Sequence, residues 1–430
     1  MVGAGGAGFP TWKKIDAKAE IVIVNGAECE PLLRNDRELM AGQAAEILRG
    51  LKLVMAAVGA KQGVVALKEK YNVAVKEFSR RIKAADRVKL HLLSSVYPAG
   101  DEFVLVYEVT GRVVPAGSIP LEVRVLVSNV ETFYNISRAE RGESVTSRFL
   151  TITGAVRQPK TLRLPIGTPL SKAVELAGGA TIEDWVIVTG GAMMGELAAH
   201  PGQPITKTTS SIIVLPREHP VVTRKSQSLD FDLRRTMEIC CQCVYCTLIC
   251  PRSLLGHEFK PHLVMRSLAM GLPFPESPGY SSASFCCACD LCGVYSCPMG
   301  LPIGRLNRKI AASLSDWNWK KTRQPAEFRP SQLREYSLVP VSRLASRLNL
   351  KEYDRPAPPD DRDFMVERVT IPLKQHIGRA AKAVVKKKQK VKKGDLIGET
   401  ARNELGARVH ASISGVVTEV TGEAVTISAS

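Results

Sequence analysis

The chain begins MVGAGGAGFPTWKK (1–14), and the reading of its glycines decides what kind of α/β domain follows. Gly3, Gly5, Gly6 and Gly8 stand at a spacing close to the dinucleotide fingerprint G-x-G-x-x-G. That fingerprint needs a strand running straight into the turn, so that the turn and the next helix aim backbone N–H groups at a pyrophosphate. Only two residues precede Gly3, which leaves no room for such a strand. The glycines therefore form either an ordinary turn or a phosphate-binding loop of another architecture, one whose start lies upstream of Met1. The rest of the chain has to separate these readings.

A length of 430 residues predicts several domains. The hydrophobic share of 45% and charged share of 23% are ordinary for a globular protein. No apolar run approaches the ~18 residues of a membrane span, and no signal peptide is visible, so no transmembrane segment is expected. The formal charge of +17 is partly local: 382–393 holds seven lysines in twelve residues. Aromatic side chains that stack on bases are not interleaved with these lysines, so no nucleic acid is expected as a partner.

Ten of the eleven cysteines fall in two short runs, a clustering that reads as metal ligation rather than a disulfide framework. In CCQCVYCTLICP, Cys240, Cys243, Cys246 and Cys250 follow C-x2-C-x2-C-x3-C before Pro251. In CCACDLCGVYSCP, Cys286, Cys289, Cys292 and Cys297 follow C-x2-C-x2-C-x4-C before Pro298. Three thiolates at two-residue gaps wrap one corner of a cubane, and the cysteine before proline reaches across to the other cluster in two-cluster ferredoxins. One 4Fe–4S cluster is then expected on Cys240, Cys243, Cys246 and Cys297, and the other on Cys286, Cys289, Cys292 and Cys250. Cys241 and Cys287 are left over. Zinc is the competing reading, but zinc sites usually show two separated C-x2-C pairs. The 35 residues between Cys250 and Cys286 include apolar positions at helical spacing, which predicts a helical ferredoxin-like domain.

Two clusters imply one-electron traffic, and a flavin is the usual converter between hydride and single electrons. The N-terminal third suits one. IVIVN (21–25), GVVAL (63–67), VKLHLL (88–93) and VRVLVSN (123–129) read as strands separated by helices, an α/β layered pattern. NGAECEP, YPAGDE and SNVET follow strands, where α/β proteins bind ligands.

With these segments in view, GxGGAGFPTxxK, NxxExEP, YPxGDE and NVET together resemble the flavoprotein (NADH-binding) subunit family of respiratory complex I. They are more similar still to Rnf-complex C subunits and to the cobalamin reductases of propanediol-utilisation microcompartments. The resemblance covers nearly the whole chain. It implies that Gly3, Gly5, Gly6, Gly8 and Lys14 cradle the phosphate and ribityl chain of FMN. It places Asn25, Glu28, Tyr97, Gly100, Asp101, Asn129 and Thr132 in the flavin pocket, and Phe9, Glu30 and Glu102 against NADH, with Glu30 and Glu102 serving catalysis. Ala4, Ala27 and Cys29 depart from the complex I pattern of Arg, an acid and Ser, which bears on NADH more than on FMN. Relatives carry a helix before the glycine loop, so the resemblance also implies a start upstream of Met1.

The remaining modules follow by the same resemblance. The expected fold class is multidomain α/β plus α+β. An FMN/NADH-binding α/β domain takes 1–146, an SLBB β-grasp domain 147–218 and a helical two-cluster ferredoxin-like domain 228–316. A Pro- and charge-rich linker follows over 317–365, then a barrel-sandwich (biotinyl/lipoyl-like) domain over 366–430. No lipoyl-type lysine is identifiable. The module stands at the N-terminus in Rnf C subunits but at the C-terminus in the microcompartment reductases, as it does here. The implied function is electron transfer from NADH through FMN and the clusters to a corrinoid, cobalamin, or to a protein electron carrier. The implied place is cytoplasmic, inside a bacterial microcompartment, with shell or adenosyltransferase proteins as partners. The alternatives are an Rnf-type C subunit, peripheral on the cytoplasmic membrane face, and an electron-wire protein without a nucleotide site.

Overall fold

In the computed structural model, residues 1–6, 8–316, 329–401 and 404–429 are described. The first part of the stretch read as a linker, 317–328, lies outside them.

The N-terminal domain is built on β1 (Ile21–Gly26), β2 (Gln62–Lys68), β3 (Val88–Leu93), β4 (Val96–Tyr97) and β5 (Val125–Asn129). Four of these form a parallel sheet in the order β3-β2-β1-β5. The helices are α1 (Thr11–Ile15), α2 (Asn35–Val58), α3 (Asn72–Arg81), α4 (Glu102–Thr110) and α5 (Val130–Glu140). The strands are runs of Val, Ile and Ala because helices cover both faces of the sheet. Val22, Val24, Val65, Leu67 and Leu126 pack on α2, α3 and α5. The alternate set Ile23, Val64, Ala66, Val125 and Val127 packs on Leu105 and Val106 of α4. Gly50 lets α5 cross α2 closely, since a Cβ there would lie 2.0 Å from the Phe133 carbonyl oxygen.

This strand order places the binding region. From β1 the chain moves outward to β2 and β3, then returns to lay β5 on the opposite side of β1. The crevice between the carboxyl ends of β1 and β5 is thus a topological switch point, where open α/β sheets bind ligands. Asn25 and Asn129 face each other across it in register.

The next domain is a mixed sheet in which strand Ser147–Gly154 lies between Lys160–Pro165 and Ser211–Pro216, crossed by helix Leu170–Leu176. Buried Arg148 on its first strand pairs with buried Glu131 of α5, which fixes it against the N-terminal domain. A helical domain follows, from Leu229–Ile239 to Ile303–Asp316. Beyond it, Val339–Pro340 pairs antiparallel with β4, and Pro359–Asp360 adds an edge strand beside Lys160–Pro165. The described part of the expected linker therefore clamps two domains. The chain ends in a β sandwich whose core is Val369, Ile371, Ile397, Val409, Val417, Val425 and Ile427. No helix among the described residues is long and apolar enough to cross a membrane.

Candidate functional site

The glycine loop folds back on itself over the β1/β5 crevice. Gly3 N donates to the Phe9 carbonyl, and Val2 pairs with Pro10. Gly6 and Gly8 have φ of +57° and +67°, a left-handed conformation that glycine adopts without steric cost. The two do different work. A Cβ on Gly8 would meet Thr208 and His376 at 2.8 and 3.1 Å, so Gly8 lets the loop seat against the later domains. A Cβ on Gly6 would meet nothing within 4 Å, so its backbone borders open space.

The predicted flavin residues come together here, and most brace one another. Ala4 N donates to Thr132 Oγ1 at 3.0 Å, and Gly5 packs on Asn129 Cβ. Asn129 caps α5 through Glu131 N and donates to Asp36 Oδ2 at 2.7 Å. Asn25 donates to the Gly100 carbonyl at 2.9 Å. Gly100 is required by close approach, its Cβ position being 3.0 Å from the Ala27 carbonyl oxygen. The four motifs are thus held on one spot. Lys14 lies 3.9 Å from Glu102, and Phe9 is exposed at the rim.

Beneath the loop is a buried polar cluster. Glu28 Oε1 accepts from Asp36 N, while its Oε2 is buried with no partner. Burial and then the Asp36 charge raise the Glu28 carboxyl from 4.5 to about 8, and burial lowers Lys68 to about 8. Tyr71 donates to the Glu28 carbonyl. An orphaned carboxyl oxygen, open backbone at Gly6 and the cation of Lys14 fit a polar, phosphate-bearing ligand such as FMN. A carboxyl whose folded pKa is raised stabilises the fold below its unfolded value and loses that contribution as pH rises. Wild type should therefore lose roughly 3 kcal/mol relative to Glu28→Gln between about pH 5 and pH 8. Thermal unfolding midpoints at the two pH values measure this, and parallel profiles would count against a buried, protonated Glu28.

Three predicted residues serve contacts that the sequence did not announce. Glu30 is turned into the protein, its two oxygens accepting from Met193 N and Met194 N at 2.9 and 2.8 Å. It ties NGAECEP to the turn of the β-grasp domain, while half-exposed Glu102 lies by Lys14. Tyr97 donates to the Cys289 carbonyl at 2.8 Å. Asp101 caps α4 through Phe103 N and Val104 N and also holds Arg252.

The cysteines gather in two groups drawn from both runs. Cys240, Cys243, Cys246 and Cys297 line one small cavity with Met265, Leu301 and Ile303. Cys250, Cys286, Cys289 and Cys292 line another with Phe259 and Asn307. Cys241 and Cys287 also border these cavities. The two loops repeat one backbone path: Gln242 and Val244 in the first, Ala288 and Asp290 in the second, all have φ between +54° and +68°. Positive φ at a β-branched Val is a strained conformation of the kind found at functional sites. Gln242 Nε2 and Leu301 N donate to Cys240 and Cys297 sulfurs, and Ala288 N to Cys286. Among the described residues no three His, Cys, Asp or Glu side chains converge as for a single metal ion. The thiols surround a space instead, the arrangement a cubane needs.

The groups differ in setting. Cys243 is exposed, whereas Cys250, Cys289 and Cys292 are buried beside the N-terminal domain. Sequence reading missed Asp36, Lys68, Tyr71 and Arg252. A lysine closing the apolar strand GVVALK was the one visible signal among them.

Comparison with known families agrees with this architecture. Residues 1–138 match the Nuo51 FMN-binding domain, 149–197 the SLBB domain, 239–302 the 4Fe-4S dicluster domain and 362–429 the RnfC barrel sandwich hybrid domain. An FMN domain joined to a dicluster domain defines a flavo-iron–sulfur oxidoreductase. The chain is 42% identical to the cobalamin reductase PduS of Salmonella typhimurium, over 99% of this chain and 94% of that protein. It is 40% identical over the same shares to that of Citrobacter freundii. It therefore belongs to the cobalamin reductase PduS family. The C subunit of the Na(+)-translocating ferredoxin:NAD(+) oxidoreductase complex of Acetobacterium woodii is 34% identical, over 58% of this chain and 55% of that one.

Proposed function

We propose that this protein is an NADH-dependent cobalamin reductase. The observation that carries the reading is the pair of crossed cysteine groups set directly behind the flavin loops, with Tyr97 and Asp101 at the seam. When bound, FMN accepts hydride and yields single electrons, which two 4Fe–4S clusters carry onward. Gly3, Gly5, Gly6 and Lys14 hold the phosphate end. Asn25, Gly100, Asn129 and Thr132 keep the loops in place through the hydrogen bonds described above, and Glu28 offers its free oxygen to the pocket. Phe9 and Glu102 at the rim receive the nicotinamide nucleotide. Glu30 acts by positioning, since both its oxygens are engaged by the Met193–Met194 backbone. Cys240, Cys243, Cys246 and Cys297 ligate one cluster, and Cys250, Cys286, Cys289 and Cys292 the other.

The acceptor is a corrinoid, by kinship with relatives named cobalamin reductase. The same kinship supports work inside a bacterial microcompartment, with shell or adenosyltransferase proteins as partners. The Rnf-type reading is the weaker one, because those relatives match only 58–61% of the chain. With NADH and reconstituted cofactors, the protein should reduce cob(III)alamin, read as loss of the oxidised corrinoid's absorption. Cys243→Ser and Cys289→Ser, with FMN retained, should keep NADH-dependent flavin bleaching and lose most cobalamin reduction. Full cobalamin reduction in both variants would remove the clusters from the path and overturn the reading.

A further inference from the structure

The YPAGDE segment meets the inner cysteine group (Cys250, Cys286, Cys289 and Cys292, the outer group being Cys240, Cys243, Cys246 and Cys297) at a buried ion pair. Arg252, two residues past Cys250, is 7% exposed, and its guanidinium grips both Asp101 oxygens at 2.5 and 2.9 Å. The guanidinium also lies over the Phe103 ring, 4.2 Å from its centroid. Asp101 at the same time accepts from the first backbone N–H groups of α4. Beside this pair, Tyr97 donates to the Cys289 carbonyl. The segment is thus joined to the inner group at both Cys250 and Cys289.

We infer that Arg252 and Asp101 are a positioning pair for the inner cluster: the pair sets its distance from the flavin pocket and, through balanced charge, its reduction potential. The inference rests on the cluster assignment proposed above. The physical ground is that removing one partner of a buried pair leaves an uncompensated charge in a low-dielectric setting. Asp101→Asn leaves a cation beside the cysteines, which favours an arriving electron and raises the potential. Arg252→Gln leaves an anion, which lowers it. A merely structural clamp would not give shifts of opposite sign.

The test is a redox titration of the anaerobically reconstituted full chain, followed by electron paramagnetic resonance. The signal lost in Cys289→Ser identifies the inner cluster, and the outer cluster serves as internal reference. Each single variant should change the inner cluster's oxidised-to-reduced ratio at fixed potential about tenfold, in opposite directions, about 59 mV for a one-electron couple. The double variant should return close to wild type. Arg252→Lys keeps the charge but not the bidentate fork, so it should hold the potential near wild type while lowering thermal stability. Because the double variant leaves no lone buried charge, it is a folded reference should one single variant fail to fold: the other must still shift, in its own stated direction, from both wild type and the double variant. Shifts of the same sign, shifts shared equally by the outer cluster, or changes under twofold in both variants would overturn the inference. A wild-type chain carrying flavin but no inner-cluster signal would refute the cofactor assignment and the inference with it.

Discussion

Cys297→Ser is expected to cost the protein the cluster of the first cysteine run and to leave that of the second run in place. Cys297 lies in the second run, 51 residues after Cys246 in the sequence, yet both line the same cavity with Cys240 and Cys243. The chain between them turns back, so that each loop of three cysteines receives its fourth from the other run. Iron in anaerobically prepared protein should fall from about eight to about four per chain, the content of one cubane. Cys250→Ser should produce the complementary loss. A Cys297→Ser protein that keeps the Cys240–Cys246 cluster and loses the one at Cys286–Cys292 would mean that each run is self-sufficient. Replacing Cys241 or Cys287 should leave the iron count unchanged.

The second large effect is at the glycine loop. Gly6→Val should abolish FMN retention, because the added side chain enters the open space that the loop backbone faces. Valine at φ +57° is also strained, at roughly 1–2 kcal/mol, so strain must be separated from obstruction. Gly111, which ends α4 at φ +71° with nothing within 4 Å of its Cβ position, supplies the control. Gly111→Val carries a similar backbone penalty far from the loop and should keep its FMN. Equal flavin loss in both variants would show that the loop's open face is not where the phosphate binds.

What could be read from the sequence was what local spacing dictates. Alternating β-branched runs and amphipathic helices gave the α/β layering, because burial on both faces demands near-continuous Val and Ile. The cysteine spacings gave the crossed groups, because a tight coil with a distant fourth thiol has few other solutions. The glycine loop stayed ambiguous until three later motifs joined it. Contacts between residues remote in sequence were not legible. Arg252 and Asp101 are 151 residues apart, and nothing around either marks the other as its partner. Glu30 reads as an exposed binding acid until Met193 and Met194 arrive from 163 and 164 residues away. Pro and charge in 329–365 suggested a slack connector, yet Val339–Pro340 and Pro359–Asp360 each pair with a strand of an earlier domain.

On this reading one chain takes hydride from NADH and delivers single electrons through its two crossed cysteine groups. An anaerobic NADH titration of the reconstituted chain, with flavin absorbance and electron paramagnetic resonance recorded together, decides it. The expected result is flavin bleaching accompanied by reduced-cluster signals that Cys289→Ser and Cys243→Ser each diminish by one cluster. Flavin that bleaches while both clusters stay oxidised until dithionite is added would contradict it.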